Sequence, residues 1–216
     1  MRVYKFYNPK YAIDNLKKRR LKISTRNSLN DPFEFNAFSF RERKERLVWA
    51  STLDGLFRNK GVICFCGSWS NPVIWSHYAE NHTGLALGFD VPNSLLLKVT
   101  YADRRLDFSK EWGSSKSDNE RLMRKALSTK FKHWEYENEY RLSAALDEPD
   151  PDSGHYFLPF SKELILRKIV IGAKSSLTTL DIRNAYGTRE DIEIVTGRLA
   201  FKSFSIVKQR SEAHQR

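Results

Sequence analysis

The sequence predicts an α+β fold, one domain with a mixed or antiparallel sheet flanked by helices. Three observations carry this. Short apolar and aromatic runs of strand length recur at 3–6, 62–66, 84–90 and 168–172, bounded by Asn, Pro and Gly. Between them lie stretches with helical periodicity and recognisable caps. The chain of 216 residues, 40% hydrophobic and 13% aromatic, is long and apolar enough for one packed core over 1–210, with 211–216 as a frayed tail.

The elements follow in order. Residues 3–6 form an aromatic strand. Asn8-Pro9 starts a helix, with Asn as N-cap and Pro in the first turn, and Lys17 to Arg20 suit the negative end of its dipole. Residues 21–25 form a second strand, and Asn30-Asp31-Pro32 a turn. The charge spacing of 40–60 reads as a surface helix, 62–66 as a buried strand, and Asn71-Pro72 as the start of a helix over 73–79. Runs 84–90 and 95–101 are expected to pair through a turn at 91–94. Ser117 with Glu120 fits a capping box opening a basic helix over 117–134. A strand over 135–144, an acidic loop over 147–154, a strand at 168–172, a helix at 180–186 and closing strands at 192–195 and 201–207 complete the reading.

Composition bounds the function. There are 37 Lys and Arg against 26 Asp and Glu, a formal charge of +11, which favours polyanionic partners such as nucleic acid or an anionic cofactor. Two cysteines make no disulfide scaffold and the N-terminus shows no apolar signal core, so a reduced, cytoplasmic protein is expected. No apolar run reaches the roughly 20 residues of a membrane span, so no membrane partner is expected. A phosphate-binding glycine loop, a dinucleotide glycine fingerprint and a nucleophile elbow are all missing, which removes the kinase, dehydrogenase and hydrolase readings.

The richest stretch is Trp134-Glu135-Tyr136-Glu137-Asn138-Glu139-Tyr140-Arg141. On a strand, Glu135, Glu137, Glu139 and Arg141 would share one face. Crowded carboxylates suit general-base or charge-stabilising work; on a solvated edge they would instead pair with Arg141 and nearby lysines. Trp75, His77 and Tyr78 crowd one helix, for packing or for proton transfer. Cys64 and Cys66 alternate onto one face with His77 and His82 following, but lack the tight paired spacing of a zinc site, so no metal is expected. Arg121, Arg124, Lys125, Lys130 and Lys132 form a positive helix face able to meet phosphates, or simply solvated.

The sequence resembles a bacterial family known as domain of unknown function 2971. The resemblance rests on Tyr4-Lys5-Phe6-Tyr7, on 28–34 (Ser-Leu-Asn-Asp-Pro-Phe-Glu), on Trp75-Ser76-His77-Tyr78-Ala79 with Gly84, and on 134–141 with the 169–172 strand. A more distant similarity is to ADP-ribosyltransferases, whose order is a first strand with a basic residue or histidine, a second ending in Ser-Thr-Ser, and a late Glu-x-Glu. Here Lys5, Ser24-Thr25 and Glu137-Asn138-Glu139 come in that order, with Arg26 in place of the last Ser. The similarity implies an ADP-ribosyltransferase-like fold and NAD as cofactor. It implies Glu139 as the catalytic group that holds a ribose hydroxyl and stabilises oxocarbenium-like charge, and Glu137 as the group that orients or deprotonates the acceptor. The candidate NAD contacts are Tyr4, Lys5, Ser24, Thr25, Asn30, Tyr78 and Arg141.

The expectation is therefore an NAD-dependent ADP-ribosyltransferase-like enzyme, a toxin or phage-defence effector acting on nucleic acid or protein. The alternative is a non-catalytic nucleic-acid-binding module.

Overall fold

The computed structural model describes residues 1–113, 115–187 and 191–210; the expected tail at 211–216 lies outside them. Its first half runs β1 (Arg2–Tyr7), α1 (Pro9–Lys18), β2 (Arg20–Ile23), β3 (Phe38–Ser39), α2 (Arg43–Phe57), β4 (Lys60–Cys66), α3 (Pro72–Tyr78), β5 (Leu85–Asp90), β6 (Leu96–Lys98) and β7 (Thr100–Ala102). Next come β8 (Leu106–Asp107), α4 (Phe108–Glu111), α5 (Lys116–Ser128), β9 (Thr129–Phe131), a 3-10 turn (Lys132–Glu137) and β10 (Glu139–Ala145). The chain closes with β11 (Tyr156–Pro159), β12 (Ile165–Ile171), α6 (Thr179–Tyr186), β13 (Glu193–Leu199) and β14 (Ile206–Lys208).

The architecture is α+β around a mixed eight-stranded sheet in the order β14-β13-β12-β5-β1-β4-β10-β6. Its pairs are antiparallel except β12 with β13. Cores lie on both faces, which is why β4 and β5 read as nearly continuous apolar runs. Leu85, Leu87 and Phe89 of β5 enter the core beneath α1 and α6, whereas Ala86 points to the opposite core with Trp75 of α3. A third core, Phe35, Phe38, Trp49, Leu53, Phe108 and Leu122, gathers α2, α4 and α5.

Local chemistry explains the elements that matched. Asn8 caps α1 by accepting from the Tyr11 amide at 2.9 Å, and Asn71 caps α3 by accepting from the Val73 amide at 2.9 Å. Four expectations are corrected. The 84–90 and 95–101 runs do not pair with each other: β5 lies between β1 and β12, and β6 adds to β10 at the far edge. The capping box of α5 is Ser115 with Asp118, not Ser117 with Glu120. That helix ends at Ser128, so Lys130 lies on β9 and Lys132 in the 3-10 turn. The strand expected over 135–144 begins only at Glu139, because Asn138 adopts a left-handed conformation (φ 43°) that ends the turn.

Candidate functional site

β4 organises the site. Its end pairs with β1 at one register position, Cys66 opposite Tyr4, whereas β1 pairs with β5 along six. Farther back, β4 is bridged instead by Ser24, which follows β2: the Ser24 amide donates to Val62 O at 2.8 Å and the Val62 amide returns a bond to Ser24 O at 2.9 Å. Cys64 lies between those two attachments, where the sheet parts. The gap is a cavity of about 210 Å³ lined by Tyr4, Lys5, Ser24, Asn30, Tyr78 and Cys64, with carboxylates from Glu34, Glu137 and Glu139.

The carboxylates arrive from three directions. Glu139 begins β10 opposite Cys66, so Tyr4, Cys66 and Glu139 form one row across three strands. Glu137 ends the 3-10 turn, and Glu34 belongs to the loop that the Asn30-Asp31-Pro32 turn sets up, where Asp31 accepts from the Phe33 amide at 2.9 Å. Asn138 lies against Gly67, whose amide donates to Asn138 O at 2.9 Å. A Cβ on Gly67 would stand 2.4 Å from Asn138 Nδ2, so a larger residue there would have to push the Asn138 side chain aside.

Two buried cations hold the three acids. Lys130 Nζ lies 2.6 Å from Glu137 Oε2, 3.0 Å from Glu139 Oε2 and 3.4 Å from Glu34 Oε2. Arg141 donates through Nε to Glu139 Oε1 at 2.8 Å and through Nη2 to Glu34 Oε1 at 2.5 Å. All five side chains are 3–5% exposed. Burial of this depth is tolerable because every charge has partners. Tyr78 donates its hydroxyl to Glu137 Oε1 at 2.5 Å and accepts from Asn30 Nδ2 at 3.0 Å. The Glu139 amide donates to the Tyr101 hydroxyl at 2.9 Å.

The neighbouring glutamates titrate in opposite directions. Burial opposes ionisation of Glu139, but adjacent Arg141 and then Lys130 outweigh it and hold its carboxyl down to about 2. Burial also dominates at Glu137, which lacks an arginine, and there it wins: the pKa is raised. Burial pushes the Cys64 and Cys66 thiols up, so neither is a ready nucleophile. The site thus sets a carboxylate that its cations hold ionised beside one whose ionisation burial opposes.

Of the predicted catalytic and NAD-contacting residues, Glu137 and Glu139 line this cavity together with Tyr4, Lys5, Ser24, Asn30 and Tyr78. Thr25 lies outside it, with its carbonyl receiving Ser28, and Arg141 stands behind Glu139 as its support. Glu135 is exposed in the 3-10 turn, so the three glutamates do not share a strand face. The predicted positive helix face is dispersed. Lys130 is buried in the site, Arg121 pairs with Asp118 on its own helix, Lys125 pairs with Glu111, Lys132 pairs with Asp103, and Arg124 stays exposed. Among the described residues, no three His, Cys, Asp or Glu side chains are arranged to hold a metal ion. His77 bonds the Tyr136 hydroxyl at 2.9 Å and His82 faces Ser76, away from the cysteines. The sequence reading assigns Glu34 no role, although it stands two residues after the Asn-Asp-Pro turn, and it places Lys130 on a phosphate-binding helix face, whereas Lys130 is buried among the carboxylates.

No helix of the described residues is long and apolar enough to cross a membrane. Residues 74–142 match the family model described as "Protein of unknown function (DUF2971)". The match runs from α3 into β10, so it contains Trp75 to Ala79, Gly84 and Trp134 to Arg141, and the resemblance expected from those residues holds there. No curated protein and no solved structure gives a significant match to the chain.

Proposed function

We propose that this protein is an NAD-dependent ADP-ribosyltransferase-like enzyme whose active site is the gap between β1 and β4. One observation carries the reading. Lys5, Ser24 and the Glu137/Glu139 pair, drawn from three distant segments in the order the resemblance expects, line one cavity. A chance match of short motifs gives no reason for them to meet.

The cavity suits the nicotinamide–ribose end of NAD rather than the whole dinucleotide: about 210 Å³ holds a ring and a sugar, leaving the rest to lie along the mouth. Two groups in the lining have nothing else to bind among the described residues. Lys5 makes no ion pair and the Ser24 hydroxyl no hydrogen bond. In this reading Lys5 meets the anionic part of NAD, and Ser24 and Asn30 meet its polar edges.

NAD supplies a carbon–nitrogen glycosidic bond that breaks with its electron pair on nicotinamide, while an acceptor nucleophile bonds the ribose carbon and releases a proton. Glu139, ionised at any physiological pH, stabilises the positive charge that develops on the sugar and receives a ribose hydroxyl. Glu137 takes the acceptor's proton, and Tyr78 and Lys130 hold it in place. Arg141 is a positioning residue that fixes the Glu139 carboxylate from behind. Arg26, at the departure from the Ser-Thr-Ser pattern, pairs with Asp54 on α2 and takes no part. Such chemistry suits a toxin or a phage-defence effector.

The test is nicotinamide release from NAD by the purified protein, alone and with DNA, RNA or cell lysate. Wild type is expected to release nicotinamide and Glu139→Gln to lose at least 100-fold, of the order seen for loss of one charge-stabilising group. Glu137→Gln, a milder change at a carboxyl whose pKa is already raised, is expected to fold and to impair transfer more than hydrolysis. No release from folded wild type under any of these conditions overturns the reading.

A further inference from the structure

A second cavity of about 300 Å³ adjoins the first and shares Lys130 with it. It lies between the 31–37 loop and the parallel β7/β9 pair. The loop divides the two: Glu34 points into the carboxylate pocket while Phe33, its chain neighbour, lines the second cavity. Two aromatic rings stand in solvent here, Phe33 at 59% and Phe131 at 47% exposure. Phe131 stacks on His133 at 4.5 Å, and the Arg105 guanidinium lies 4.9 Å over Phe33. Arg104 and Arg105 line the same cavity, are exposed, and make no ion pair among the described residues. The acid of the lining, Asp103, is answered by Lys132 at 3.4 Å.

Exposed aromatic rings, each covered on one side by Arg105 or His133, beside arginines that make no ion pair among the described residues are what an unstacked base and its phosphates require. Every base has a π-face, and guanidinium groups meet phosphate oxygens in a fork. An anionic protein segment would match the arginines but gives no reason for two solvent-facing phenylalanines around a ring-sized hollow. The position completes the argument, since a strand seated here lies against the loop that carries Glu34 into the reactive pocket. We propose that this cavity is a base-stacking subsite for single-stranded nucleic acid, and, resting on the transferase reading above, that the strand it holds is the acceptor.

The test is fluorescence anisotropy of a labelled oligothymidine and of a blunt duplex of the same length, without NAD and over a salt series. The single strand is expected to bind more tightly than the duplex, whose bases are already stacked. Phe33→Ala and Phe131→Ala should each weaken it about tenfold, as expected for loss of one base-stacking face. Arg104→Ala and Arg105→Ala should each make the log–log salt slope shallower by about 0.7. Because both arginines are exposed and make no ion pair among the described residues, their variants report even where a phenylalanine variant folds poorly. Equal binding of duplex, affinity and slope unchanged in all four variants, or no binding at all would overturn the subsite. Nicotinamide release without oligonucleotide is a separate readout, so failure of the subsite and failure of the transferase reading are told apart.

Discussion

Lys130 and Glu137 are buried against each other at 2.6 Å, and Lys130 reaches two further carboxylates within 3.4 Å. With Arg141, two cations face the three acids Glu34, Glu137 and Glu139, a formal charge of −1 at the base of a pocket. Lys5, which makes no ion pair among the described residues, lines the same pocket.

Removing Lys130 leaves three buried carboxylates with Arg141 alone. Lys130→Met is expected to cost about 3–5 kcal/mol, the range for breaking a buried pair by deleting one partner. Urea unfolding followed by circular dichroism measures it. A loss below about 1 kcal/mol would show that water enters the cluster and screens it. The double variant Lys130→Met with Glu137→Gln should recover part of the loss, because it removes one of the stranded charges.

The two glutamates give stability opposite pH dependences. Glu139 has its folded pKa near 2, below its ordinary 4.5, so its ionised form stabilises the fold above pH 4.5 and that contribution is lost as pH falls from 4.5 through about 2. Glu137 has a raised folded pKa, so its contribution is present below its ordinary 4.5 and lost as pH rises through the folded value. Urea midpoints across pH should therefore show Glu139→Gln flattening the decline between pH 4.5 and 2. Glu137→Gln should gain on wild type as pH rises above 4.5. Parallel curves for wild type and Glu139→Gln would place the acid sensitivity elsewhere.

The Trp75-to-Ala79 stretch divides between packing and site. Trp75 is fully buried, meets Phe6 edge-on at 5.1 Å and donates from Nε1 to Trp69 O at 2.6 Å. Trp75→Ala is expected to cost about 3–5 kcal/mol. His77 is exposed and, among the described residues, its one hydrogen bond is to the Tyr136 hydroxyl, so His77→Ala should change stability by about 0.5 kcal/mol or less. Thermal melts compare the two. A His77 variant as damaged as the tryptophan variant would give the imidazole a structural role that its exposure denies.

Much of this molecule is written locally and was legible. Asn8 and Asn71 announce their helices by capping chemistry, and the β4 and β12 runs announce burial by continuous apolar residues. What failed was nonlocal. Leu95 to Tyr101 alternates like a partner for β5, but no local signal states that β1 and β12 fill both of its edges. The positive face of α5 dissolved because Asp103 and Glu111, distant in sequence, come close to Lys132 and Lys125. Lys130 was misread for a related reason: a lysine is written as a surface residue unless its three acids, at 34, 137 and 139, are seen together. Strand order was also beyond reach, and so the gap between β1 and β4 could not be foreseen. Lys5, Ser24, Glu137 and Glu139 of its lining could, because motif order supplied what spacing did not.

Asn138 is the residue on which the site's geometry turns. It is left-handed at φ 43°, ends the 3-10 turn that carries Glu137 and starts the strand that carries Glu139. Both acids reach Lys130 only because the chain reverses its twist between them. Asn tolerates this region and glycine favours it, whereas a β-branched residue pays about 1–2 kcal/mol there. Asn138→Val should lower stability by that amount and also move Glu137 away from Lys130, reducing nicotinamide release more than the stability loss accounts for. Asn138→Gly should keep both the fold and the release close to wild type. Gly67→Ala, which would bring a Cβ to 2.4 Å from the movable Asn138 Nδ2, should cost less than the valine change, because a side chain can yield where a backbone φ cannot. Denaturant midpoints and nicotinamide release measured on the three variants decide it. If Asn138→Val and Asn138→Gly behave alike, the left-handed turn does not set the carboxylates.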